Sequence, residues 1–171
     1  MKQTKLGPVV SSAHLADGSF PEISELEFGL IIASNAFNRW VVQAMTAAGH
    51  PELSALEVLV LHTVRHKDRP KTLAGVCLVL NVEDTHLVNY AVKKLTRAGL
   101  VATGRRGKEK TVEATASGRT ACEAYRDIRE QLLLEAVTER GLDPATVSQV
   151  AGLLRMMSGQ YDQAARAATV L

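Results

Sequence analysis

The stretch TLAGVCLVLNVEDTHLVNYAVKKLTRAGLVATGRRGKEKTVEATASGR, residues 72–119, decides how this chain is read. TLAGVCLVL predicts a short apolar helix over 72–80, and Asn81, a residue that tolerates left-handed backbone, supplies the turn after it. VEDTHLVNYAVKKLTRAG then offers Asp84 or Thr85 as the cap of a second helix whose inward stripe is Val88, Ala91/Val92 and Leu95. Gly99 stops that helix after Lys93, Lys94 and Arg97, cations suited to a helix C-terminus. LVATG and KTVEAT are short β-prone runs on either side of GRRGKE. Residues 100–103 and 110–114 are therefore expected to pair as a hairpin, with Gly104 and Gly107 giving its tip the freedom it needs. Two helices joined by a tight turn and followed by a basic hairpin make a winged helix-turn-helix.

Working outward, Ser54 and Glu57 form a capping box ahead of SALEVLVLHTVRH, with Leu56, Val60 and Val64 on one stripe. Asp68, Arg69 and Pro70 break that helix. Further back, Ser24 and Glu27 predict another capping box opening a long helix from about 24 to 48, ended by Gly49 and Pro51. Its apolar positions include Leu30, Phe37, Trp40/Val41 and Ala44. Beyond the hairpin, Thr115 or Ser117 reopens helix, with Ala121, Tyr125, Ile128, Leu132 and Ala136 at helical spacing. GLDP at 141–144 ends it. Asp143 can cap a last helix with Pro144 at its first position, and its stripe is Val147, Val150, Leu154, Met157 and Tyr161. The expected fold is mainly α with a small β-hairpin wing. Its parts are an irregular arm over 1–22, a long helix within 23–53, a winged lobe over 54–116 and helices over 117–171.

Composition agrees with a globular chain: 46% hydrophobic and 22% charged among 171 residues. No apolar run approaches the roughly 20 residues that span a bilayer. The first residues lack the continuous apolar centre of a secretory signal. Cys77 and Cys122 give neither metal-site spacing nor a disulfide framework, so a reducing, cytoplasmic setting is expected. The formal charge of +2 hides an asymmetry. Residues 1–61 sum to −3, residues 62–110 to +7 and residues 111–171 to −2. A basic middle between acidic flanks points one surface at a polyanion.

A helix about 10–12 Å across fits the major groove of B-DNA, where exposed side chains reach base edges. On the second helix Thr85, His86, Asn89, Tyr90 and Lys93 fall outside the inward stripe and are expected to meet bases or phosphates, Asn89 being able to bond adenine bidentately. On the hairpin, Arg105, Arg106, Lys108 and Lys110 are expected on phosphates, with Arg106 or Lys108 reaching the minor groove. Other candidates read as structural. His62 and His66 stand four apart but lack a third ligand, so no metal is expected. Cys77 and Cys122 read as buried filler, and Phe37, Trp40 and Tyr125 as packing rather than an effector cleft. There is no nucleophile–base arrangement, phosphate-binding glycine loop or pair of carboxylates, so neither an enzyme nor a cofactor is expected.

These residues also resemble the MarR family of bacterial regulators. The likeness is carried by TLAGVCLVLN (72–81), VNYAVKKLTRAGLV (88–101) and ATASGRTACEA (114–124), the last echoing a Thr-x-x-Gly-Arg that leads from wing strand into helix. With the flanking long helices it covers about 24–167. The resemblance implies a sequence-specific regulator of transcription, a ligand-responsive repressor. It implies a homodimer in which helices from both chain ends interlock, with double-stranded DNA and a small-molecule effector as partners. The chain departs from the pattern in three places. The turn NVED is one residue longer than usual and puts Glu83 and Asp84 where phosphates would approach. The wing is short and lacks an Asp-x-Arg. Leu78 and Val79 are apolar on a face the family tends to keep polar, as though the arm or a partner covered it. The departures motivate the alternative of a winged-helix protein–protein adaptor that has lost DNA binding.

Overall fold

Pro21 sits at the first position of helix α1 (Pro21–Ala47), where its missing amide costs nothing. The computed structural model describes residues 20–171, so most of the expected arm lies outside the described residues. Helix α1 starts before the expected Ser24/Glu27 box. Phe20 stands at the cap position without a side-chain bond, and Ser24 lies inside the helix. The proline fixed the start where the box was expected to.

The chain divides after Arg126 into two compact units. In the first, α2 (Ala55–Arg65) opens with the expected capping box: the Ser54 amide donates to Glu57 Oε2 at 2.7 Å and the Glu57 amide to Ser54 Oγ at 3.5 Å. A 3-10 turn over His66–Asp68 comes next, with Lys67 and Asp68 at positive φ. The short strand β1 (Lys71–Thr72) leads directly into α3 (Leu73–Leu80), where Thr72 accepts from the Gly75 amide. Asn81 adopts the expected left-handed conformation at φ 52°. Helix α4 (Thr85–Arg97) is capped by Asp84, which accepts from the His86 amide at 2.8 Å. Strands β2 (Val101–Arg106) and β3 (Glu109–Ala114) then pair antiparallel. The core joins all of these: Met45 of α1, Val58, Leu61 and Val64 of α2, Val76 of α3, Val88, Val92 and Leu95 of α4, and Val112 of β3 are fully buried.

Two features of the sheet differ from expectation. The hairpin is longer than 100–103 paired with 110–114, because its register runs from Val101↔Ala114 to Arg106↔Glu109. Gly107, at φ +62°, makes the turn, whereas Gly104 pairs with Thr111 inside the ladder. A Cβ on Gly104 would lie 3.2 Å from Thr111 Oγ1, so the glycine serves close packing there and not the tip. The third strand, β1, pairs with β3 through Lys71↔Val112 and Thr72↔Thr111, giving the order β1–β3–β2. Two residues are too few to leave a periodic signal. What holds them is Lys71, whose ammonium donates to the carbonyls of Val64 and His66 and so satisfies the C-terminal end of α2.

Helix α5 (Ala116–Arg129) ends the first unit and begins the second. The expected continuous helix to 140 is interrupted by a π-helical turn, Glu130–Leu134, before α6 (Glu135–Glu139). One extra residue in a turn rotates the helix beyond it, so the stripe Ala121–Tyr125–Ile128 is not continued by Leu132 and Ala136, which are exposed. Asp143 caps α7 (Pro144–Ala168) as expected and accepts from the Thr146 amide at 2.9 Å. These hydrogen bonds from Thr146 hold the Asp143 carboxyl below its ordinary value. The α7 stripe is not a core: Val147, Val150 and Leu154 are exposed, and no α7 residue is fully buried.

Candidate nucleic-acid interface

Helix α4 owes its orientation to two anchors on opposite sides of its DNA-facing candidates. Val88, Ala91, Val92 and Leu95 are buried. Lys94, one step round, donates to Glu57 Oε2 at 2.9 Å and to the Glu52 carbonyl, tying α4 to the start of α2. Burial alone would raise the Glu57 carboxyl, but the Ser54 amide and the Lys94 ammonium outweigh it and hold the group below its ordinary value. Glu57 therefore stays ionised and clamps the cap and the helix pair together.

With those faces occupied, Thr85, His86, Tyr90 and Lys93 are exposed and Asn89 is half-buried. Lys93 Nζ lies 5.5 Å from the centre of the Tyr90 ring, a cation–π distance. Sequence reasoning missed Leu87, which is 49% exposed beside Tyr90 at 68%. It belonged neither to the expected inward stripe nor to the expected contact set, and at 100° per residue it falls beside the Val88 stripe and not within it.

The wing presents its four cations on two sides. Arg105, Lys108 and Lys110 line one groove of about 480 Å³ with Thr103 and Gly104. Arg106 does not join them; it pairs with Glu109 at 3.4 Å and lines a second groove of about 370 Å³ with Arg69, Thr72, Leu78 and Val79. Leu78 and Val79 are 82% and 68% exposed, so neither is covered by the described residues.

The residues read as structural divide between the core and the surface. Cys77 and Cys122 are buried and unbridged, and burial pushes the Cys122 thiol up to about 11. His62 packs edge-on to Tyr125 with ring centres 4.5 Å apart. Burial, and then the nearby Arg65, hold its imidazole below the ordinary value. His66 is exposed, and the described residues contain no cluster of three or more His, Cys, Asp and Glu side chains able to hold a metal. Tyr125 is buried and Trp40 half-buried, while Phe37 is exposed. No helix among the described residues is long and apolar enough to cross a membrane.

Comparison with known proteins matches residues 53–118 to the winged helix DNA-binding domain family. No curated protein shows significant sequence similarity to the chain. Among solved structures, a MarR-family transcriptional regulator from Rhodococcus sp. RHA1 is 18% identical, covering 78% of this chain and 93% of its own, with a TM-score of 0.66. A cysteine-to-serine mutant of MarR from E. coli complexed with operator DNA is 20% identical over 82% and 99%, with a TM-score of 0.64. CouR from Rhodococcus jostii RHA1, bound to p-coumaroyl-CoA, is 19% identical over 77% and 90%, with a TM-score of 0.62. At these identities the likeness is one of fold. The matched domain family is described as one that binds DNA. Over residues 53–118 the chain is similar to the winged helix DNA-binding domain family, and its fold is the one seen in the solved MarR-family regulators.

Proposed function

We propose that this chain is a sequence-specific, DNA-binding regulator of transcription that works in the cytoplasm as a homodimer. The observation that carries the reading is the pairing of an exposed polar and basic face on α4 with the basic groove of the wing, in a chain whose acidic segments lie elsewhere. In this reading α4 enters the major groove, where Thr85, His86, Asn89, Tyr90 and Lys93 meet bases and phosphates. Arg105, Lys108 and Lys110 take the backbone as one set, and Arg106 reaches it from the other side of the hairpin.

The homodimer is supported by apolar faces at both ends of the described chain. On α1 Leu30, Ile31, Ile32 and Phe37 are exposed, and on α7 Val147, Val150, Leu153 and Leu154 are exposed. Exposed apolar runs of that extent mark interaction surfaces, and a second copy would bury them. In this division residues 23–53 and 117–171 frame the dimer and 54–116 read DNA. A repressor whose hold on DNA a small molecule alters is the finer form of the proposal, by analogy with the CouR complex. The test is an anisotropy titration of the full chain against the DNA upstream of its own gene, from low to high salt. Binding that weakens with salt and saturates at two chains per duplex supports it.

One observation favours a second reading, a winged-helix protein adaptor. Leu78 and Val79 are uncovered, and Glu83 and Asp84 are exposed at the start of α4. Function unaffected by Arg105→Ala and Lys108→Ala, together with a stoichiometric protein partner, would favour the adaptor.

A further inference from the structure

We propose that Leu87, standing beside Tyr90, reads thymine through its 5-methyl group, making it a specificity-determining residue of the α4 face; the inference rests on the DNA-binding function proposed above. Both side chains stand uncovered, 49% and 68% exposed. They are three residues apart, so they lie side by side on the helix surface. Together they form an apolar patch on a face otherwise polar or cationic. Such a patch gains nothing against phosphate and must find an apolar partner to be stabilised.

The major groove offers one. Every base edge there presents hydrogen-bond donors or acceptors, and the thymine methyl is the sole apolar group. The surroundings fit duplex DNA and not an apolar protein surface. Lys93 sits against the Tyr90 ring at 5.5 Å and Arg97 is exposed a further turn along, so cations border the patch where phosphates would flank the bases. The Lys93–Tyr90 contact also limits the ring's freedom, leaving Leu87 as the side chain that fits against the methyl. On the same helix start, the Asp84 carboxylate accepts from the His86 amide and would repel the acceptor-rich edge of guanine. That repulsion biases the position next to the patch away from G.

The test begins with duplexes selected by the full chain from random-sequence DNA. Each thymine is then replaced in turn by deoxyuridine, which removes the methyl and nothing else. At one thymine of the site, binding is expected to weaken about fourfold, the worth of one buried methyl group. Leu87→Ala is expected to bind the thymine and uracil duplexes equally, and Arg105→Ala to weaken both while keeping the fourfold difference. Uracil tolerated at every position by a chain that still binds its selected DNA would overturn the inference alone. A fourfold difference retained by Leu87→Ala would overturn it as well. Failure to select any sequence would overturn the DNA-reading function, and this inference with it.

Discussion

The segment Thr115-Ala116-Ser117-Gly118-Arg119 shows what single residues do for this fold. Thr115 caps α5 by accepting from the Gly118 amide at 3.1 Å, and its hydroxyl donates to the Gly99 carbonyl at 2.6 Å. Arg119 reaches back to the Ala114 carbonyl at 2.9 Å and to Asp68 at 3.6 Å. Gly118 is pressed so close to the loop after α4 that a Cβ would lie 2.0 Å from the Leu100 carbonyl oxygen. Thr115 and Gly118 lock the end of the wing to the segment after α4, and Arg119 ties the start of α5 to the wing strand and to Asp68. Gly118→Ala should therefore force backbone apart and cost about 1–3 kcal/mol, read by urea unfolding. A variant as stable as the parent would contradict the close approach. His62 makes a second prediction at this scale. Its Nε2 is buried without a hydrogen-bond partner among the described residues, and the fold favours the neutral imidazole. The unfolded chain binds the proton more readily, so stability is undiminished above the ordinary imidazole value of about 6.5 and declines as pH falls below it. The loss is complete once pH passes below the lowered value of the fold. Stability between pH 7 and 5 should fall less steeply in His62→Phe than in the parent. Equal slopes would show that His62 carries none of the dependence.

At the scale of elements, α4 and the wing are where the chain's charges meet its proposed ligand. Asp84 is needed as a cap yet opposes phosphate. Asn caps as well as Asp does, so Asp84→Asn should leave the unfolding midpoint nearly unchanged while tightening DNA binding, checked by anisotropy beside thermal melting. Arg105→Ala should weaken binding to all sequences alike and lower the log–log salt slope by about 1.8, one phosphate contact at about 0.9 from each chain of the dimer. Most caps and the order of the helices were legible because caps and stripes are local signals: Ser54 with Glu57, Asp84 and Asp143 hold the bonds their positions implied. Pro21, however, overrode the Ser24/Glu27 box, and Thr72, expected as the first helical residue, is a cap. Strand β1 was not legible, since a two-residue strand exists by virtue of its partner β3. The π turn at Glu130–Leu134 also left no pattern, because it breaks one by inserting a residue. On α4 the apolar letter of Leu87 concealed that its direction is outward.

For the whole molecule, helical periodicity correctly marked the apolar face of α7 but not what it faces. The same 3.6-residue stripe is written for an internal core and for contact with another chain. The exposed Val147, Val150 and Leu154 fit the second under the homodimer proposed above. Val150→Glu should therefore shift the chain from dimer to monomer in sedimentation while its winged lobe keeps its helical signal, and an unchanged dimer would place the interface elsewhere. The central claim, that the α4 face and the wing bind DNA as one basic surface, is tested most directly by the salt dependence of affinity for the duplex upstream of the chain's own gene. A linear fall of log K with log salt is predicted, with a slope that drops in Arg105→Ala and Lys108→Ala. Absence of binding at low ionic strength, or a slope untouched by those substitutions, would contradict it.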